Sequence, residues 1–360
     1  MSARFLTVVL ERAFNMRDGF GREIDYMRIS VIDSCNLNCY YCNPCDNNEH
    51  CHALNILSVK EVLCIVRAAT RLGIKHFRLT GGEPLLHPQL DEMVLQIKKI
   101  SGVSSVSLTT NAVLLAQHAK WLKEAGIDSI NVSLDTIDAS EYERITKKPL
   151  LEEVKHGINA AIECGIRVKI NVVLTPQTDV VALTRYVAKK GTDIRFIEMM
   201  PVGEGHTNGV EPYKKVIGTL SKLYGEPCRI NTEKTKEINS GNDKRKIPDN
   251  GPAEYYIFPE LGIRVGLIQA IHGKFCDTCN RIRVTADGRL MPCLGSSVTM
   301  DLVPDSWDFA DDAEKDFSIV RALRAAIKAK PRCHNFNDNA VTYTKTTETK
   351  TVETKTKIGR

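Results

Sequence analysis

The stretch Cys35-Asn-Leu-Asn-Cys39-Tyr-Tyr-Cys42 sets three thiols at spacing C-x3-C-x2-C, directly after the run Met27-Arg-Ile-Ser-Val-Ile32. That run alternates apolar and polar residues, the period of a strand with one buried face. The cysteines therefore occupy a loop leaving a strand end. Three thiolates are one short of the four that close a cubane iron–sulfur cluster. A [4Fe–4S] cluster held by three protein ligands keeps one iron open to a small molecule, as a catalytic zinc site keeps one position free. A zinc loop and three buried thiols are the other readings of the motif taken alone.

Composition narrows the setting. The chain has 360 residues, of which 42% are hydrophobic and 26% charged, enough apolar content for a large core or two smaller ones. Twelve cysteines accompany no secretory signal, because the apolar segment Phe5–Leu10 is short and is followed by charge. No stretch approaches the length of a membrane span. Cysteines in such a chain point to metal or catalysis rather than disulfides, and a cytoplasmic location is expected. The net charge of +5 does not suggest nucleic-acid binding, but local basic clusters remain available to an anionic substrate.

From residue 26 to about 200 a strand-then-helix unit recurs. Ser58-Val-Lys-Glu61 is a capping box that opens an amphipathic helix ending near Gly73. Strands are expected at 76–79, 103–108, 129–134, 167–174 and 193–197, with helices at 90–100, 116–125, through Cys164, and at 179–189. This alternation implies a parallel sheet, as a full or partial barrel or as an open doubly wound sheet. The cysteine loop, Gly81-Gly-Glu-Pro84, Thr109-Thr-Asn111, Ser133-Leu-Asp135 and Glu198-Met-Met-Pro201 all follow strands, at the face where barrel active sites gather. The segment 202–246 is more polar, with one helix near 212–224, and a further helix is expected at 311–330. Beyond Asn339 the Thr/Lys/Glu-rich tail is expected to be disordered.

A second set, Cys276, Cys279 and Cys293, follows the spacing C-x2-C-x13-C. It too offers three thiolates. Zinc, completed by His272 or Cys333, is the stronger reading of this set alone; beside the first motif, a second open cluster becomes the better one. Arg281 and Arg283 alternate on the following strand, so both can face one side.

The ordered series CNLNCYYC, RLTGGEPL, LTTN, INVSLD, RFIEMMPVGEG and FCDTCNRIRVTADGRLMPCL, between about residues 17 and 338, resembles the radical-SAM GTP 3′,8-cyclase family of molybdenum-cofactor biosynthesis. The resemblance implies an α/β fold: a partial (incomplete) TIM-type barrel with a C-terminal extension carrying a second cluster. The corresponding division is an extension over 1–20, a radical-SAM core over 21–205, a substrate and second-cluster region over 206–338, and the tail over 339–360. The cofactors implied are two [4Fe–4S] clusters, on Cys35, Cys39 and Cys42 and on Cys276, Cys279 and Cys293, together with S-adenosylmethionine (SAM). In the family one electron cleaves SAM to a 5′-deoxyadenosyl radical, which takes the 3′ hydrogen of GTP, and the ribose radical closes on C8 of guanine. By matching positions, Tyr41, Gly82, Ser133 and Met200 fall where the family contacts SAM. Arg28, Arg78, Thr109, Lys169, Arg281 and Arg283 fall where it contacts GTP. Several fixed cations suit a triphosphate, because Arg offers it a bidentate fork. The partners implied are an electron donor of flavodoxin or ferredoxin type and a downstream cyclic pyranopterin monophosphate synthase, with a homodimer left open.

The chain departs from the family pattern at Ser34 (often Arg), His76 (commonly Lys) and Ala112 (Gly in TTNG), and it ends Ile358-Gly-Arg360 where the family has Gly-Gly. Cys45, Cys51 and Cys64 are extra and read as spectators, although Cys45–His52 with His50 offers a metal trap. Met16 is an alternative start. Two other functions stay open from sequence: a divergent radical-SAM enzyme acting on another nucleotide or a peptide, and a metal-binding scaffold without activity.

Overall fold

The computed structural model describes residues 16–42, 55–203, 205–206, 209–230, 251–296, 298–302, 312–334 and 336. The expectations for residues 1–15, for Cys45, His50 and Cys51, and for the tail from 339 to Arg360 lie outside these residues.

Six strands form the expected series: β1 (Tyr26–Ser30), β2 (His76–Thr80), β3 (Ser105–Thr110), β4 (Ser129–Ser133), β5 (Val168–Val173) and β6 (Asp193–Ile197). Each pairs in parallel with the next. The helices between them are α1 (Val59–Arg71), α2 (Leu90–Lys98), α3 (Leu115–Glu124), α4 (Ala139–Thr146), α5 (Leu151–Glu163) and α6 (Val180–Lys189). The capping box opens α1 as expected: Glu61 N–H donates to Ser58 Oγ at 3.3 Å, and Ser58 N–H donates to the Glu61 carboxylate at 2.7 Å. The single helical stretch expected before Cys164 is two helices, because Lys147 turns the chain at φ +61° after α4.

The C-terminal part does not sit apart from this sheet. After α7 (Gly218–Tyr224) come β7 (Cys228–Ile230), β8 (Glu254–Ile257), β9 (Arg264–Ile268), β10 (Arg281–Val284), β11 (Arg289–Met291) and β12 (Met300–Asp301), then α8 (Asp312–Lys328). Strand β9 pairs in parallel with β6, and β10 pairs in parallel with β1. The order is β12-β11-β10-β1-β2-β3-β4-β5-β6-β9-β8-β7. Eight parallel strands, β10 through β9 in that order, thus form an open barrel wall, with antiparallel strands continuing both ends. Since β9 and β10 run the same way, residues 269–280 must return from the C-terminal end of β9 to the N-terminal end of β10. That return carries Cys276 and Cys279 to the base of the barrel.

Strand parity decides where the core lies. Met27, Ile29, Phe77, Leu79, Val106, Leu108, Ile130, Val132, Ile194, Phe196, Val265, Leu267 and Ile282 are fully buried in one apolar cluster with the inner faces of the helices. Their strand neighbours point the other way and are Tyr26, Arg28, Arg78, Ser107, Asn131, Lys169, Asn171, Arg195, Arg281 and Arg283, which line a cavity. The apolar core therefore sits outside the sheet, under the helices, and the barrel interior is polar.

Candidate active site

At the C-terminal end of the strands the first triad is held by backbone contacts and two buried carboxylates. Asn38 N–H and Tyr40 N–H donate to the Thr146 and Ile145 carbonyls at the end of α4, at 3.0 and 3.1 Å. Gly82 N–H donates to Ile32 O at 2.7 Å, and Glu83 N–H to Ser34 O at 2.8 Å. A Cβ at Gly82 would lie 2.1 Å from Ser34 O, so only glycine lets the Gly81–Pro84 loop approach the cysteine loop this closely. Glu83 is 1% exposed and accepts from Thr110 Oγ1 at 2.6 Å, Asn111 N–H at 2.7 Å and Leu85 N–H at 3.0 Å. Asn111 in turn donates to Asn36 Oδ1 at 2.7 Å. Asp135 accepts from Val173 N–H at 2.7 Å and from the Tyr41 hydroxyl. Burial raises Glu83 to about 7 and Asp135 to about 6. Burial, with Asp135, Cys42 and Cys35 near, also pushes the Cys39 thiol far above its ordinary value.

Below this rim the cavity is cationic. Register aligns Arg283, Arg28, Arg78 and Ser107 across β10, β1, β2 and β3, and Arg281 stands beside Tyr26 one level lower. Neighbouring strands lie ~4.8 Å apart, so the guanidinium groups are crowded. Arg28 is half-buried, and its ionised form is disfavoured first by desolvation and then by Arg283. Arg78 donates to the Tyr26 hydroxyl and, at 3.4 Å, to Thr109 Oγ1. Across the cavity Lys169 is 5% exposed, its ammonium 5.9 Å from the Tyr255 ring centre. Arg195 donates to Asn171 Oδ1 at 2.9 Å. Asp128 is the acidic residue on the lining, and its carboxylate already accepts from Lys98 Nζ at 2.9 Å and Val106 N–H at 2.7 Å. Arg281 Nε and Asn131 Oδ1 are buried without a hydrogen-bond partner. The arrangement suits a polyanion that brings its own acceptors.

The second triad closes the base of the same cavity, which Cys276, Cys279 and Cys293 all line. Here the neighbours are cations. Arg22 donates to the Cys276, Pro331 and Arg332 carbonyls at 2.7, 2.6 and 2.9 Å, and pairs with Asp18 at 2.5 Å. Burial pushes the Cys279 thiol up, but Arg281 and Lys330 outweigh it and bring the thiol down to about 7. His272, one candidate fourth ligand, is bonded to Glu198 through Nδ1, and the other, Cys333, is exposed. Among the described residues no three His, Cys, Asp or Glu side chains form a site for a single metal ion.

The two halves of the chain match two family models: the Radical SAM superfamily over residues 29–182, and Molybdenum Cofactor Synthesis C over residues 192–336. The GTP 3′,8-cyclase of Clostridium perfringens is 35% identical over 324 residues, 89% of this chain and 95% of that one. The chain belongs to the GTP 3′,8-cyclase family. The cyclase of Peptoclostridium acidaminophilum is 37% identical over 89% of this chain and 94% of its own length. The crystal structure of Streptococcus suis SuiB bound to precursor peptide SuiA shares the fold, with a TM-score of 0.55 at 15% identity, over 90% of this chain and 69% of that one.

Radical-SAM membership brings SAM and an iron–sulfur cluster to this cyclase-family chain. The donors present fit such a group, since each triad gathers three thiols close enough to feel one another's charge, the first at the rim and the second at the base of the cavity. Of the residues singled out in the sequence, Arg28, Arg78, Lys169, Met200, Arg281, Arg283 and the second triad line the cavity. Tyr41, Gly82, Ser133 and the first triad gather at the rim instead. Thr109 is placed as a partner of Arg78. His76 bonds Ser105 Oγ at 2.8 Å at the lower end of β2, and Cys64 is buried in the core on α1. Sequence reasoning missed Tyr26, Asn131, Asn171 and Arg195, although a two-residue step along the strand from Arg28, Ser133, Lys169 or Asp193 reaches each of them. Arg22 and Lys330 carried no such signal. Among the described residues no helix is long and apolar enough to cross a membrane.

Proposed function

We propose that this chain is a GTP 3′,8-cyclase. It converts GTP to (8S)-3′,8-cyclo-7,8-dihydroguanosine 5′-triphosphate, using SAM and two [4Fe–4S] clusters. The observation that carries the reading is the cationic cavity in the barrel interior, which the second triad lines at its base, below the strand ends that carry the first triad. Cys35, Cys39 and Cys42 would hold the first cluster, and Tyr41, Gly82, Ser133 and Met200 would seat SAM beside it. Cys276, Cys279 and Cys293 would hold the second. When bound, the first cluster with SAM supplies one-electron chemistry able to remove a hydrogen atom from carbon. The chain's own work is placement. Arg28, Arg78, Lys169, Arg281 and Arg283 bind the triphosphate, Thr109 holds Arg78 in line, and the deep cavity keeps water from the reacting sugar. A flavodoxin- or ferredoxin-type protein would deliver the electron, and a cyclic pyranopterin monophosphate synthase would take the product.

The test is anaerobic incubation of the reconstituted chain with SAM, dithionite and GTP. The expected outcome is 5′-deoxyadenosine together with a nucleotide isomeric with GTP, and deuterium from the 3′ position of labelled GTP in the deoxyadenosine. Deoxyadenosine without that transfer would remove GTP as substrate. A colourless protein lacking broad absorption near ~400 nm would remove the cluster reading itself.

A further inference from the structure

The segment after α8 is bound to the second triad more closely than packing requires. Lys330 is 2% exposed, and its ammonium donates to Arg281 O at 2.7 Å and to Pro292 O at 2.9 Å. One acceptor lies two residues after Cys279 and the other immediately before Cys293. The Cys279 side chain lies beside the same ammonium and accepts from Arg281 Nη2 at 3.7 Å. Four residues on, His334 sits beside the Cys276 thiol, and its Nε2 donates to Ala270 O at 2.8 Å. Arg22 fixes the same segment from the other side through the Pro331 and Arg332 carbonyls.

We propose that Lys330 is the positioning residue of the second cluster: it locks together the two chain segments that carry Cys279 and Cys293, and it sets that cluster's reduction potential. The proposal rests on the two-cluster reading above. A buried ammonium is costly unless opposite charge faces it. The charges that favour the ammonium here are the thiolates of Cys279 and Cys293, and Arg22 opposes it. An apolar side chain would fill the same volume without that cost, so retaining a charge here marks the thiolates as its purpose. Reduction adds negative charge to a cluster. A cation and N–H···S hydrogen bonds at its ligands favour the reduced state and raise the potential. At the first triad the charges that act on Cys39 and Cys35 among the described residues are those of Asp135, Glu83 and the neighbouring thiols.

The experiment uses the full chain carrying Cys35→Ala, Cys39→Ala and Cys42→Ala, so that only the second triad can load. Iron, sulfide and the midpoint potential are measured with Lys330 intact, with Lys330→Arg and with Lys330→Met. The expected result is a loaded cluster with Lys330 and with Lys330→Arg at similar potentials. In Lys330→Met the cluster either loads at a more negative potential or fails to load while the chain still melts cooperatively. A loaded Lys330→Met cluster at unchanged potential overturns the proposal. Equal loss of cluster and of cooperative melting in both Lys330 variants also overturns it, since Lys330 is then a folding residue only. If the background with Lys330 intact takes up no cluster, the two-cluster reading itself falls, and the proposal falls with it.

Discussion

The two ends of the barrel carry the same ligand set in opposite electrostatic surroundings. At the rim, three cysteines within eight residues sit beside buried Glu83 and Asp135; burial with Asp135 drives the Cys39 thiol up, and burial with Glu83 raises Cys35. At the base, three cysteines drawn from two segments sit beside Arg22, Arg281 and Lys330, and Arg281 and Lys330 hold Cys279 down at about 7 against burial. The rim cysteines come from one short loop, pinned by a glycine approach and by contacts such as Asn111 to Asn36, 75 residues apart. The base is built by contacts such as Arg22 to Cys276, which are 254 residues apart. The cations at the base lower the cost of charge on Cys279, although burial still raises Cys276, and the same cations face the anionic substrate proposed for the cavity. A thiolate set among carboxylates depends on bound metal for its charge balance.

Exchanging which triad is removed gives the largest expected difference. Replacing Cys35, Cys39 and Cys42 by Ala should abolish SAM cleavage. Replacing Cys276, Cys279 and Cys293 by Ala should halve the iron from about eight per chain and leave SAM cleavage detectable. Deoxyadenosine assays and iron analysis on both variants check this, and loss of SAM cleavage from a folded, half-loaded second variant would break the division between the ends.

A second test sharpens the charge contrast. Glu83 is raised from its ordinary 4.5 to about 7 in the folded chain, so the folded state holds its proton where the unfolded state has lost it. Stability of the metal-free chain should therefore fall as pH rises from about 4.5 to 7, by up to roughly 1.4 kcal/mol per pH unit from this group. Glu83→Gln should flatten the slope in denaturant titrations across that window. An unchanged slope means the three donors to Glu83 keep it ionised throughout.

At the base, Arg281→Ala or Arg283→Ala should weaken GTP binding by roughly 1–3 kcal/mol, the range for a charge-assisted hydrogen bond. Calorimetric titration with the nucleotide reads this directly, and unchanged affinity in both variants sinks the assignment of these residues to substrate.

The smallest effect is expected at Ala112, which sits at the rim with φ +66° and is fully buried. Relief of left-handed strain in Ala112→Gly, roughly 1–2 kcal/mol, is offset by ~0.8 kcal/mol of lost methyl burial and ~0.5–1 kcal/mol of backbone entropy. The melting temperature should hardly move. A large rise would show that the departure from the family's glycine strains the rim.

Much of the rim was legible in the sequence because its determinants are local. The C-x3-C-x2-C spacing, the glycine pair before Glu83 and the capping box at Ser58 each act within a few residues, and the period-2 strands announce themselves one at a time. Arg28 and Arg78 were reached through the family resemblance, by matching motif positions. Tyr26, Asn131 and Arg195 were not reached, because a polar residue in a strand means something different on each face of the sheet. Only the sheet order says which face is the cavity.

The amino-acid sequence by itself determined the alternation of strands and helices, both cysteine triads and the family to which they point. Tertiary structure decided that β9 and β10 join opposite ends of one sheet, that residues 269–280 return to the base, and that Arg28, Arg78, Arg281 and Arg283 form one wall. It also decided that Arg22 and Lys330, from opposite ends of the chain, meet at the second triad. The reason is physical: propensity, capping and turn chemistry act over a few residues. Register between strands hundreds of residues apart is set only when the buried apolar faces of all of them share one core.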